Sequence, residues 1–159
     1  MNKVYLSLGS NQGERLLWLE QAMHMLEDQA GKIITRSPVY VSKAWGLEAQ
    51  PDFLNMALLL DTAKDPRQLL HIIRTIEEAL GRQRHIKWGP RTLDIDILFF
   101  NDDVIASPEL TVPHPFIQDR AFVLTPMADI APGFIHPVLH KTIAALLTEC
   151  TDLLAVTPL

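Results

Sequence analysis

The sequence predicts an α+β fold in which helices pack on one face of a mostly antiparallel sheet. Three observations carry that expectation. Apolar segments follow one another in the order β-α-β-β-α-β, the helical segments have recognisable start or stop residues, and the last part of the chain reads as additions to that core. At 159 residues the chain is long enough to bury a substantial core, and it is read as one domain spanning 1–159.

Residues 3–8 (KVYLSL) read as the first strand, ended by the turn-forming GSNQG of 9–13. Leu16, Leu17, Leu19, Ala22, Met23 and Leu26 recur at helical spacing, which predicts a helix over 14–29 stopped by Gly31. Residues 33–41 (IITRSPVYV) read as a second strand, with Pro38 marking an edge or a bulge. After a long polar loop at 42–52, FLNMALLLDT (53–62) is apolar enough to be a central strand. Asp65 caps the next helix and Pro66 opens it. Its buried face is Leu69, Leu70, Ile72, Ile73, Ile76 and Leu80, and Gly81 is its stop. A basic loop at 82–91 leads into the last core strand, 92–100. Beyond it, NDD (101–103) predicts a turn into a short hairpin, DRAFVLTPMADI a short helix, and KTIAALLTEC a C-terminal helix. This order is the ferredoxin-like βαββαβ sandwich with C-terminal additions. The arrangement hosts many functions and settles none of them.

Composition narrows the class. A hydrophobic share of 48% and a charged share of 21% are ordinary for a soluble globular protein. A net charge of −5 argues against a general nucleic-acid or membrane-surface binder. The longest apolar runs fall short of the ~18 residues a membrane span needs, and the N-terminus does not resemble a secretory signal. One cysteine, Cys150, permits no internal disulfide and fits a reducing cytoplasm. A cytoplasmic protein without nucleic-acid or membrane partners is therefore expected; a monomer is expected as well, although composition does not decide it.

The chemistry concentrates in 82–100. RQRHIKWGPR (82–91) holds Arg82, Arg84, Lys87, Arg91 and His85 with no acid, so four of the chain's 14 Lys and Arg residues fall in ten positions. The strand that follows, TLDIDILFF, carries Asp94 and Asp96 inside an apolar run. Side chains alternate along a strand, so Thr92, Asp94, Asp96 and Leu98 share one face, while Leu93, Ile95, Ile97 and Phe99 face the core. The two aspartate Cα atoms lie about 6.5–7 Å apart at ~3.3 Å rise per residue. Two like charges held that close call for a cation. Arginines from the neighbouring loop are one possibility. A hard divalent ion such as Mg2+, leaving coordination sites for phosphate oxygens, is the other. The acid-free basic loop beside the acidic strand favours a site for Mg2+ and a triphosphate. No P-loop pattern is present, so the phosphates would meet side chains: Arg82, Arg84, Arg91, Arg120 and His114. Phe53, Asn55, Trp88 and Phe122 flank the same region. Aromatic rings stack on planar heterocycles, and an amide both donates and accepts, although Phe53 and Phe122 equally fit a core.

These residues assemble into a pattern that resembles the 6-hydroxymethyl-7,8-dihydropterin pyrophosphokinases of folate biosynthesis. The resemblance rests on LSLGSN (6–11), QPDFLN (50–55), IEEALGRQR (76–84), WGPRTLDIDIL (88–98), VPHP (112–115) and RAFVLTPMADIAP (120–132). It implies an ATP-dependent enzyme that moves the β,γ-diphosphate of ATP to the pterin hydroxymethyl oxygen and releases AMP. It also implies two Mg2+ ions held by Asp94 and Asp96, with Arg82 and Arg91 stabilising the transferring group. Glu77, Arg84, Trp88, His114 and Arg120 match nucleotide positions, and Ile97, Leu110 and Thr111 match the neighbourhood of adenine. Phe53 and Phe122 match the pair that sandwiches the pterin, with Asn55 on its polar edge and Ser42, Lys43 and Trp45 in the adjoining loop. The resemblance also implies that Trp88 and Asp94 match positions on the pterin side. Phe53, Lys87 and Pro115 depart from residues common in the family, and at Lys87 a bidentate guanidinium becomes a point charge. A non-enzymatic RNA-binding module on the same scaffold would want aromatics and basic residues on the sheet, where this strand carries two aspartates.

Overall fold

The computed structural model describes residues 1–43, 51–81 and 92–159. Strand β1 (Asn2–Ser10) leads through the Gly13 turn, where φ is +68°, into helix α1 (Arg15–Gln29). Strands β2 (Gly31–Arg36) and β3 (Tyr40–Ser42) precede the long β4 (Phe53–Thr62). Helix α2 (Pro66–Ala79) follows, then β5 (Asp94–Phe100) and the hairpin of β6 (Ile105–Ala106) and β7 (Thr111–Val112). Helices α3 (Ala121–Ile130) and α4 (Ile143–Glu149) and a last strand, β8 (Val156–Pro158), complete the chain. The main sheet runs β5-β1-β4-β3-β8, with β2 also on β4, and every pairing is antiparallel. This is the ferredoxin-like α+β architecture expected from the element order.

Local chemistry explains the boundaries. Helix α2 begins with a complete capping box, in which the Asp65 side chain accepts from Gln68 N and the Gln68 side chain accepts from Asp65 N. It ends where Gly81 takes φ +87°. The expected strand 33–41 is two strands, because Pro38 has no N–H to give to the ladder. At the break Ser37 N donates to Ala57 O at 2.9 Å, and Ser37 Oγ accepts from Ala57 N at 2.9 Å. Gly31 does not terminate α1, as the sequence led us to expect. It opens β2, where a Cβ would lie 2.1 Å from Asp61 O, so close strand packing is what requires glycine. Strand β8 was not expected at all.

Two cores sandwich the sheet. On one face, α1 and α2 bury Leu19, Leu26, Leu69, Ile73 and Ile76 against Val4, Leu6, Leu8, Leu58, Ile95 and Ile97. Each such side chain contributes about 1.5–3 kcal/mol of burial. On the other face, Val123, Leu124 and Met127 of α3 and Ile143 and Leu146 of α4 cover Ala57, Leu98 and Phe99. The C-terminal additions thus form a second helical layer over part of the face opposite α1 and α2. Phe99 belongs to this second core, not to the first with Ile95 and Ile97 as its spacing predicts. The reason is a register shift between Tyr5 and Leu6: Leu6 pairs with Ile97 but Tyr5 pairs with Phe99, so Leu98 is an extra residue and the alternation inverts after it.

Among the described residues no helix is long and apolar enough to cross a membrane. The β2–β4 contact makes one prediction. Gly31→Ala should destabilise the chain by on the order of 2–3 kcal/mol through overpacking, measured as a lower urea midpoint with an unchanged slope; a loss below about 0.5 kcal/mol would show that the strands separate easily.

Candidate active site

Register builds the site. Asp96, Ser7 and Ala57 form one row across β5, β1 and β4, and Asp94, Gly9 and Asn55 form the next. Residues opposite one another in a ladder share a face, so both aspartates and Asn55 look out on the side away from α1 and α2. Asp94 and Asp96 are half-buried, while the intervening Ile95 is 4% exposed. The outward pair is as the period of two predicts.

Gly9, expected from its neighbours to open a turn, instead lies in β1 and forms the floor between Asp94 and Asn55. A Cβ there would lie 3.3 Å from Asn55 Oδ1 and 3.7 Å from the Phe53 ring. A glycine inside an otherwise apolar strand is the signal that marks such a close approach. Beside this floor the buried Asn55 donates from Nδ2 to Ser42 Oγ at 2.7 Å, which fixes the amide's orientation. Ser42 is paired in register with Phe53, the half-buried ring at the start of β4. Lys43 lies exposed beyond them, with Nζ 3.6 Å from Asp52 Oδ1.

Three described elements close in on β5. Glu77, 2% exposed on α2, accepts from Ile95 N at 2.9 Å through Oε2. It therefore holds the outer edge of β5 at the residue between the two aspartates. The loop after β7 gives its His114 N–H to Leu98 O at 3.0 Å, which covers the same edge further along. Helix α3 starts at Arg120 as N-cap, with Phe122 half-buried in its first turn. The Arg120 guanidinium carbon sits 4.9 Å from the Phe116 ring centre and 5.8 Å from that of Phe122, within cation–π range.

His114 is electrostatically distinctive. Burial lowers its pKa to about 4, the Arg120 charge pushes the same way, and the Asp94 carboxylate opposes them. Nδ1 accepts from Phe116 N at 3.3 Å, so a neutral ring carries its proton on Nε2. The result is a neutral N–H donor in a cationic and anionic setting.

The remaining expected residues divide. The Ile97 side chain lies in the α1–α2 core, on the face opposite the aspartates. Leu110 packs at the margin of that core and Thr111 is exposed at the start of β7. Trp45, Arg82, Arg84, Trp88 and Arg91, with Lys87 and His85, fall outside the described residues. Among the described residues no group of three or more His, Cys, Asp or Glu side chains stands ready to hold a metal. Two hard carboxylates on one face suit an oxygen-loving divalent ion that takes its other ligands from phosphate and water.

The described residues thus set two outward carboxylates beside an oriented amide on a ferredoxin-like scaffold. The chain belongs to the 7,8-dihydro-6-hydroxymethylpterin-pyrophosphokinase (HPPK) family, whose model matches residues 5–132. It is 44% identical over 151 residues to the 2-amino-4-hydroxy-6-hydroxymethyldihydropteridine pyrophosphokinase of Aquifex aeolicus, covering 95% of this chain and 94% of that one. The Bacillus subtilis protein of the same name is 45% identical over 130 residues, covering 81% of this chain and 78% of that one. Among solved structures, the Plasmodium falciparum HPPK-DHPS wild type superposes with a TM-score of 0.74 at 22% identity. That match covers 94% of this chain but only 43% of the Plasmodium chain, and it supports the fold alone.

The lowered His114 pKa has a stability consequence. An unfolded histidine takes up a proton near 6.5, whereas the folded ring stays neutral to about 4. Stability should therefore fall as pH drops from about 6.5 towards 4. His114→Gln should flatten that part of the curve of urea midpoint against pH, and an unaltered slope would show that the folded ring titrates normally.

Proposed function

We propose that this enzyme transfers the β,γ-diphosphate of ATP to the hydroxymethyl oxygen of 6-hydroxymethyl-7,8-dihydropterin, releasing AMP, with Mg2+, as a cytoplasmic step of folate biosynthesis. The observation that carries the reading is the pair of adjoining rows, Asp96·Ser7 and Asp94·Gly9·Asn55, which sets a carboxylate pair beside an oriented amide over a glycine floor.

Phosphoryl-type transfer needs positioning and charge stabilisation more than a protein nucleophile. On this reading Asp94 and Asp96 hold two Mg2+ ions. Held by these two carboxylates, such ions would supply neutralisation of phosphate charge. Phe53 and Phe122 stack on the pterin ring, and Asn55, locked by Ser42, reads its polar edge. The Nε2–H of His114 donates to a phosphate oxygen without adding charge, and Arg120 adds a cation held against Phe116. Arg82 and Arg91 take the charge that develops, while Arg84, Trp88, Leu110 and Thr111 surround the nucleotide, Ile97 offers it only backbone because its side chain lies in the α1–α2 core, and Ser42, Lys43 and Trp45 border the pterin. The bond formed joins the hydroxymethyl oxygen to the β-phosphorus, and the bond broken is to the bridging oxygen that leaves with AMP.

Incubation with Mg-ATP and the pterin should give AMP and a diphosphorylated pterin; ADP, or nucleotide turnover independent of pterin, would refute the assignment. Asp96→Ala should lower turnover by on the order of a thousandfold or more. The half-exposed site makes its stability cost small, about 1 kcal/mol or less. Loss of the fold instead would make the aspartate a structural ion-pair partner.

A further inference from the structure

Strands β3 and β4 carry Ser42, Phe53 and Asn55 beside the glycine floor, and α3, which packs on the same face of the sheet, carries Phe122 in its first turn after the N-cap Arg120. We propose that the C-terminal segment Asp152–Leu159 ties β3 and α3 together, and that Asp152 is a positioning residue of the substrate site. Asp152 Oδ2 accepts from Ala121 N, the first residue of α3, at 3.0 Å across 31 residues of chain. Its other oxygen accepts from Leu154 N at 3.0 Å, so the carboxylate clamps the tail onto the helix start. Strand β8 then runs along β3, pairing Val156 with Ser42, Thr157 with Val41 and Pro158 with Tyr40, and Leu159 N donates to Val39 O at 3.0 Å. One short segment thus holds both the backbone of Ser42 and the start of the helix that bears Phe122.

Helix α3 has particular need of this hold. Its own N-cap, Arg120, makes no side-chain cap hydrogen bond. Pro126 lies inside the helix and lacks the N–H that would otherwise bond the carbonyl of Phe122 four residues back. The first turn therefore has fewer internal constraints than an ordinary helix, and an external acceptor at Ala121 fixes where it starts. A second tie acts at the far end of the same helix, where the Tyr40 hydroxyl donates to Asp129. That bond pushes the Tyr40 pKa up, so the phenol remains a donor. Phe122 and Asp129 are seven residues apart, close to two turns, and so lie on one side of α3. The helix is pinned to β3 at one end through Tyr40 and to the tail at the other through Asp152.

The inference rests on the pterin slot between Phe53 and Phe122, and the test separates the two. Binding of 6-hydroxymethylpterin, followed by its fluorescence with a non-hydrolysable ATP analogue present, is measured for the wild type, Asp152→Ala, Asp152→Asn, Phe122→Ala and the Asp152→Ala/Phe122→Ala double variant. Asp152→Ala should weaken binding on the order of tenfold through misplacement of the ring. Asp152→Asn, which keeps one oxygen for two amides, should fall between it and the wild type. In the double variant the Asp152 change should add less than about twofold, because the ring it positions is gone. A lower melting temperature with pterin affinity within twofold of wild type would overturn the proposal, as would full additivity with Phe122→Ala. If Asp152→Ala does not fold, the comparison of Asp152→Asn with wild type decides by the same criterion. An unchanged affinity in Phe122→Ala would reject the slot itself, and this inference with it.

Discussion

The site depends on one constraint, the antiparallel register of β5 on β1 and of β1 on β4. A slip of a single residue would turn Asp94 and Asp96 into the α1–α2 core and bring Ile95 and Ile97 out to water. Burying two carboxylates without partners costs several kcal/mol each, and exposing two isoleucines forfeits about 1.5–3 kcal/mol apiece, so the alternatives are well separated. Glu77 adds a specific lock, since its bond to Ile95 N engages the backbone between the two aspartates. The same register sets Gly9 between Asp94 and Asn55. Carboxylates, floor and amide are therefore consequences of one pairing.

The bulge at Leu98 divides the strand's duties. Before it, alternation gives one apolar and one polar face. After it, Phe99 turns towards α3 and α4, where it meets Tyr5 at 6.3 Å and Phe134 at 4.7 Å between ring centres. The face bearing the aspartates is thus open at one end and a packed core at the other. His136 belongs to the packed end. It is 4% exposed, stands edge-on to Phe99, and accepts from Val138 N and Leu139 N through Nδ1. Burial lowers its pKa, with His140 adding to the effect, as suits a neutral core histidine.

Much of this was legible in the sequence because it is local. The Asp65–Pro66 start, the Gly81 stop, the outward aspartates and the element order all follow from residues within a few positions of one another. The illegible parts are those that depend on a distant partner. Gly31 looked like a helix stop because nothing nearby reveals that Asp61 packs against it. The break at Ser37–Pro38 appeared as an edge or bulge because the compensating bonds come from Ala57. Phe99 was assigned to the wrong core because a bulge is a property of two strands. Gly9 was read as part of a turn because its neighbours across the sheet, Phe53 and Asn55, are more than forty residues away. The tail strand β8 escaped notice because VTP carries little pattern of its own and takes its conformation from β3.

The most direct test of this account is the stoichiometry of Mn2+, standing in for Mg2+, measured by electron paramagnetic resonance with a non-hydrolysable ATP analogue present. The account predicts two ions per chain in the wild type. Asp94→Asn and Asp96→Asn should each bind fewer or markedly weaker ions while unfolding at nearly the wild-type urea midpoint. Two ions bound with unchanged affinity in both variants would contradict it, because the outward face of β5 would then not be the metal-holding face.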